Sequence, residues 1–285
     1  MRSAGFSEIS DRVWLLRHPW CEVNLTVVGG QDGLVVIDTL PSSGAADDLV
    51  PLLRRLPGEV VALVNTHWHV DHCFGNHRLR EEYAGVPVHA HEQAAEELRE
   101  HAEEGRTEAL GTAPDDAARE DLRRTPVLLP DRLFSSVAVI DLGDRRLELL
   151  HPGRGHTAGD LVVTVPEADV LVAGDLVEES GPPAYGPDSF PLEWPLSLDL
   201  VLGLLGPDTV VLPGHGAPVG REFVLEQRAS LGVVAETIRH LAGEGLDADA
   251  ALEAAEWPFP AATLRDAVRR GFAHLPRSQK RLPLI

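Results

Sequence analysis

Four side chains able to bind a metal ion stand within six positions in Thr66-His67-Trp68-His69-Val70-Asp71-His72. Neutral imidazole nitrogens take zinc and similar ions, and a carboxylate adds a harder, anionic donor. In an extended segment His67, His69 and Asp71 face one side, whereas His72 needs a turn to reach a neighbouring position. One strand end could thus serve two metals. Three further candidates repeat the pattern of apolar strand, glycine, ligand. His156 stands in Gly153-Arg-Gly-His-Thr-Ala-Gly-Asp160, Asp175 follows Val170-Leu-Val-Ala-Gly174, and His215 follows Val210-Val-Leu-Pro-Gly214. His151, after Leu147-Glu-Leu-Leu150, competes with His156. His18, His77, His101, His240 and His274 lack a ligand-like context and read as surface or packing residues. His89 and His91 close a strand and open a helix, positions suited to capping or to supporting bonds. Cys73 reads as a small buried residue behind the cluster.

Strands must present these ligands. Val13 to Leu16, Leu25 to Val28 and Leu34 to Asp38 are short β-branched runs around Gly29-Gly-Gln-Asp-Gly33, the pattern of antiparallel strands. Apolar residues recur at helical spacing from Gly44 to Leu56, and Glu59 to Val64 returns to a strand that ends at the histidine cluster. Asn76 to Tyr83 predicts a helix, Val86 to His89 a short strand, and His91 to Glu104 a charged helix. Glu103 to Thr125, rich in Ala, Glu, Asp and Arg, predicts a mobile helical excursion with a helix start at Pro114-Asp-Asp. Strands resume at Val137 to Ile140, Arg146 to Leu150, Leu161 to Val165, Val170 to Ala173 and Thr209 to Leu212. Each block has several strands and covering helices, so the class is α/β, satisfied by a four-layer αββα sandwich or by one mixed sheet. Beyond Arg221 the pattern is helical to about Ala273. The expected organisation is a catalytic domain at 1–220 with a helical insertion at about 91–125, and a C-terminal helical appendage at 221–285.

Pro182, Pro183, Pro187 and Pro191, with Tyr185, Phe190 and Trp194, make Gly181 to Pro195 a constrained loop. It is expected either to pack on the core as a crossover or to border the cleft as a lid, with Tyr185 as the substrate-facing side chain.

The 285 residues carry a formal net charge of -20, which argues against nucleic acid as a partner, since such binding rests on Lys and Arg neutralising phosphates. No apolar run has the length of a membrane span or the form of an export signal. With Cys21 and Cys73 as the only cysteines, the expectation is a cytoplasmic protein with free thiols, no membrane association and a small-molecule substrate.

His67-x-His69-x-Asp71-His72, Gly155-His156-Thr157, Gly174-Asp175 and Gly214-His215 resemble, in order, the metal motifs of the metallo-beta-lactamase superfamily, over about Asn24 to Gly216. The resemblance implies the four-layer αββα sandwich. It implies His67, His69 and His156 on one metal, Asp71, His72 and His215 on a second, and Asp175 bridging them. It favours His156 over His151, because Gly155 and Thr157 match the motif. The expected cofactors are two divalent ions, zinc first, with iron or manganese as alternatives. Two such ions can share an acidified water and clamp the oxygen it attacks, with Asp71 orienting the nucleophile. Aspartate at 175, where the family's zinc beta-lactamases commonly carry cysteine or serine, favours a small ester, thioester or lactone over a beta-lactam. A persulfide dioxygenase holding one iron through His67, His156 and Asp175 is the alternative from another class, and a scaffold without metal is a third.

Overall fold

The computed structural model describes residues 5–276 and contains two β-sheets with helices on their outer faces. The first sheet runs, in spatial and sequence order, through β1 (Ser7–Ser10), β2 (Val13–Arg17), β3 (Asn24–Gly30), β4 (Gly33–Ile37), β5 (Val60–Val64), β6 (Val88–His91) and β7 (Arg132–Phe134). Its early pairs are antiparallel, with Gly30 opposite Gly33 across the Gln31-Asp32 turn. From β4 to β7 the strands are parallel, joined through α1 (Ser43–Leu53), α2 (Val70–Cys73), α3 (Asn76–Glu82), α4 (Glu92–Thr112) and α5 (Asp116–Arg124). The second sheet contains β8 (Val137–Asp141), β9 (Arg146–Leu150), β10 (Val162–Val165), β11 (Val170–Glu178) and β12 (Val210–His215), in the spatial order β12-β11-β10-β9-β8. After it come α6 (Trp194–Leu204), which precedes β12 in the chain, then α7 (Arg221–Gly243), α8 (Ala248–Ala254) and α9 (Arg265–His274).

The period of two along each strand divides the core. On β4, Val35 and Ile37 face β11 residues Val170 and Val172 between the sheets, while Leu34 and Val36 face α1 residues Leu49 and Leu53. On β11 the alternate residues Leu171 and Ala173 meet α6 and α7 through Leu198, Val201 and Leu231. Both sheets are therefore covered on both faces, giving α, β, β, α layers and excluding a single mixed sheet. The helices after Arg221 share this last cluster with β10, β11 and β12.

Several expectations need correction. The histidine segment is not extended through Asp71, because Val70–Cys73 is a helical turn, so one side of a strand does not carry three ligands. The excursion is not free-standing: Leu98 of α4 and Leu122 of α5 pack with Trp68, Val70 and Phe74. Asp115 does begin α5, accepting a hydrogen bond from Ala118 N at 2.8 Å. Strands β1 and β7 and helix α6 had no sequence signal; in α6 the apolar residues on both faces, Leu198 and Val201 buried, Leu196 and Leu200 exposed, blur the helical period. No helix among the described residues is long and apolar enough to cross a membrane.

Candidate metal centre

The strand ends converge at one rim. His67 lies just beyond β5 and His69 directly before α2, whose first turn brings Asp71 and His72 back toward the strands. Gly174 has φ +54, a left-handed conformation that interrupts the β11 register and brings Asp175 inward against Thr66. His215 is the last residue of β12. His156 leaves a turn closed by Asp160, which accepts from Thr157 N at 3.0 Å and Thr157 Oγ1 at 2.6 Å.

Two groups of side chains can each surround an ion: His67, His69, His156 and Asp175, and Asp71, His72 and His215. Asp175 belongs to both neighbourhoods. Its Oδ2 lies 3.4 Å from His156 Nε2 and 3.3 Å from His215 Nε2, and its Oδ1 lies 3.1 Å from His72 Nε2. Asp71 Oδ2 stands 3.4 Å from His215 Nε2.

Each imidazole is anchored by the nitrogen that faces away. His156 Nδ1 donates to Ala184 O at 2.8 Å and His215 Nδ1 to Cys21 O at 2.7 Å. His72 Nδ1 donates to Asp38 Oδ2 at 2.8 Å, and His69 Nε2 to Asp188 Oδ2 at 3.1 Å. Thr66 gives its one hydroxyl proton to Asp38, so its oxygen accepts from His67 Nδ1 at 3.1 Å. A neutral imidazole has one N–H, so five bare lone pairs are left facing the centre. Among them His156 Nε2 and His69 Nδ1 are 2.8 Å apart, and His72 Nε2 and His215 Nε2 are 3.3 Å apart. Two acceptors at that distance repel unless a cation lies between them. His67 Nε2 and Asp175 Oδ1 are buried with no hydrogen-bond partner among the described residues. A transition metal or zinc fits such a donor set, and a hydrogen-bond network does not.

The electrostatics show the same appetite for positive charge. Burial opposes charge on His215, yet Asp175 and Asp71 beside it lift it to about 10. His156, buried and close to His69, is depressed to about 4. Burial raises Glu178, near Asp175, to about 7.

A cleft of ≈ 910 Å³ opens over the cluster, lined on one side by Trp68, His101 and other α4 residues and on the other by the Gly181 to Asp188 stretch. The proline-rich segment thus borders the cleft, though its last residues, Trp194 and Pro195, already belong to α6. Tyr185 is in the lining, but only 7% exposed, its ring 5.0 Å from Trp194 and its hydroxyl without a partner. His151 is outside the cluster, its Nδ1 donating to Asp160 O at 2.6 Å and its ring stacked on His91 at 3.9 Å. His91 accepts from Gln93 N and caps α4, and His101, expected to be a surface residue, borders the cleft. Cys73 is buried and Cys21 exposed, both free.

The sequence did not single out Asp38, Asp188 or Glu178. Asp38 follows an apolar strand as Asp175 does, so the same signal could have found it. Asp188 has no such mark, because it reaches His69 from a residue 119 positions away.

The metallo-beta-lactamase superfamily model matches residues 18–215. An acyl-coenzyme A thioesterase, MBLAC2, of Gallus gallus is 31% identical over 212 residues, covering 70% of this chain and 74% of that protein. A metallo-beta-lactamase type 2 of Bacillus cereus is 27% identical over 205 residues, 71% of this chain and 70% of that protein. The structure of a metallo-beta-lactamase from Pontibacter korlensis superposes with a TM-score of 0.64 at 24% identity, over 80% of this chain and 99% of that one, a likeness of fold. Ligand order, four-layer fold and relatives agree: the chain belongs to the metallo-beta-lactamase superfamily.

Proposed function

We propose that this metal-dependent hydrolase holds two divalent cations, zinc by the chemistry of its donors, and cleaves a small ester, thioester or lactone. One observation carries the two-ion reading. All five imidazoles, including His72 and His215 of the second group, have their outward nitrogens bonded and their bare nitrogens aimed at the same two carboxylates. A single-ion centre would leave the anchoring of His72 and His215 without a purpose.

We assign His67, His69 and His156 to one ion, Asp71, His72 and His215 to the other, and Asp175 to both. Cations bound there supply Lewis acidity toward a carbonyl oxygen and a nucleophilic water at neutral pH. The chain's own residues do the rest. Asp71, the ligand most open to the cleft at 23% side-chain exposure, orients the attacking water and passes its proton to the leaving group. The Trp68 indole, tied by its N–H to Asp188 at 2.9 Å, forms an apolar wall that limits water beside the reacting carbonyl. Tyr185 is the candidate donor to substrate, since its hydroxyl has no other partner. An ester or thioester is favoured over a beta-lactam by the 31% identity to a thioesterase and by aspartate at position 175.

Replacing His72 and His215 together by Ala tests this reading. Metal content should fall from about two ions to about one, and thioester turnover by roughly 10²-fold or more, the scale of lost ligands and of lost transition-state charge stabilisation. Unchanged turnover would show that one ion suffices. Oxygen uptake with a persulfide that persists in this variant, with one bound iron and no hydrolysis by the parent, would replace the hydrolase with the dioxygenase.

A further inference from the structure

The side of the cleft formed by α4 has a distinct chemistry. Glu97, His101, Glu104 and Glu108 follow one another at spacings of four, three and four, so they share a face of α4, and all four line the cleft. Gly105 on the same face lets the helix approach the Trp68 ring, where an added Cβ would stand 3.2 Å away. Facing them is Asp188, beside His69. Arg270 is the single Lys or Arg in the lining among the described residues, and it is engaged: its Nε donates to Ser189 O at 2.9 Å and its guanidinium lies over the Phe190 ring.

The carboxylates alone would not mark a site. That the cleft receives a ligand rests on other atoms: Asp175 and Tyr185, each more than nine-tenths buried, line it with Asp175 Oδ1 and the Tyr185 hydroxyl unpartnered. Two divalent cations would offset Asp71 and Asp175 with two charges to spare. Glu104, Glu108, Asp188 and the partly buried Glu97 lie outside that balance, opposed by Arg270. A cleft lined by one sign of charge, with low-dielectric walls, focuses the field and concentrates ligands of the opposite sign.

We propose that the α4 face selects the substrate by charge, accepting an ester or thioester whose remote end bears an ammonium group and turning away anionic acyl carriers. The ammonium sits against Glu104 and Glu108 while the acyl carbonyl reaches the metal centre, with the Trp68 ring under the α4 edge available to the cation's methyl or methylene groups. A coenzyme A thioester, with its phosphates, meets the same carboxylates as repulsion. This inference rests on the hydrolase reading for the reaction, but not for the charge preference.

The experiment compares choline with 3,3-dimethylbutan-1-ol, its uncharged carbon isostere, by titration into the zinc-loaded full-length protein. Choline should bind at least about tenfold tighter at low salt, the lower end of such field effects, and lose most of that margin in roughly 0.5 M NaCl. The Glu104→Gln/Glu108→Gln variant should lose the margin at low salt too, whereas Glu226→Gln/Glu253→Gln, the same change of net charge on exposed residues of α7 and α8, should keep it. Equal binding of the two alcohols, absence of choline binding, or loss of the margin in both variants overturns the proposal. Acetylthiocholine and the thioester of the uncharged thiol provide the second arm. Hydrolysis of both, with the charged one preferred, agrees with both readings. Hydrolysis of neither counts against the hydrolase reading and leaves charge selection to stand or fall on the titration.

Discussion

Asp188 shows how far the centre depends on groups that never meet an ion. Its carboxylate accepts from both His69 Nε2 and Trp68 Nε1, at 3.1 and 2.9 Å, so it fixes the tautomer that leaves His69 Nδ1 bare and holds the cleft's aromatic wall in the same act. Despite burial, the bond from His69 keeps the Asp188 carboxyl well below the usual carboxylate range. Asp188→Asn retains the shape but can turn an amide N–H toward His69, which then presents the wrong nitrogen. We expect zinc affinity to fall by about 10- to 100-fold, as for other groups that orient metal-binding histidines. Competition with a chromophoric chelator measures it, and unchanged affinity would show that the ring is held by packing alone.

At the scale of elements, the helical turn α2 matters more than its four residues suggest. It is stitched to the loop after β4 by Thr39 N to His72 O at 2.8 Å and Gly75 N to Leu40 O at 3.0 Å. That loop holds Asp38 and Leu40 at positive φ, 65 and 73, conformations costly for residues with a side chain and persistent only where the surroundings over-determine them. The approach is so close that a Cβ on Gly75 would meet Thr39 O at 1.8 Å, with backbone on both sides and nothing flexible to yield. Gly75→Ala should therefore destabilise by about 3 kcal/mol or more, the upper range for overpacking. Because the shift must push α2 away from Asp38, metal binding should weaken with it. In Gly111→Ala, also a helical glycine but with nothing within 4 Å of the new Cβ, stability should be unchanged or slightly higher. Urea unfolding of the two variants checks the contrast, and equal midpoints would remove the claim that α2 is locked to the β4 loop.

For the whole molecule, the centre is a seam between the sheets. His67, His69, Asp71 and His72 come from the end of the first sheet, and His156, Asp175 and His215 from the second. Bound cations tie halves that otherwise meet through the apolar layer of Val35, Ile37, Val172 and Leu212. That layer contains no ligand, so the fold should survive chelation while losing stability. At an ion concentration 100-fold above the dissociation constant the linkage is about 2.7 kcal/mol, and for a chain of this size each kcal/mol moves Tm by roughly 2–4 °C. Exhaustive chelation should lower Tm by about 5–11 °C in a scanning calorimeter, with a cooperative transition retained. No shift would mean that the cluster binds no ion with useful affinity.

The sequence by itself determined the ligand types, their order and the β-rich blocks that carry them. Those features are local: five consecutive apolar residues in Val60–Val64 make a strand wherever it is placed, and histidine two residues apart is visible without a fold. It also marked the approach of Gly181 to Asp188 to the cleft, since a segment that begins so soon after Asp175 cannot travel far. The tertiary structure decided what depends on long separations. The choice between one sheet and two follows from which faces of β4 and β11 find partners, and periodicity in runs as uniformly apolar as Leu34–Ile37 says nothing about that. The helical turn of Val70–Cys73 is too short to carry a period, and is stabilised by its bonds to the β4 loop. Asp188 and the acidic face of α4 became part of the site only because the chain between them and His69 folds back. Hydrogen-bond geometry across 119 residues leaves no trace in composition or spacing.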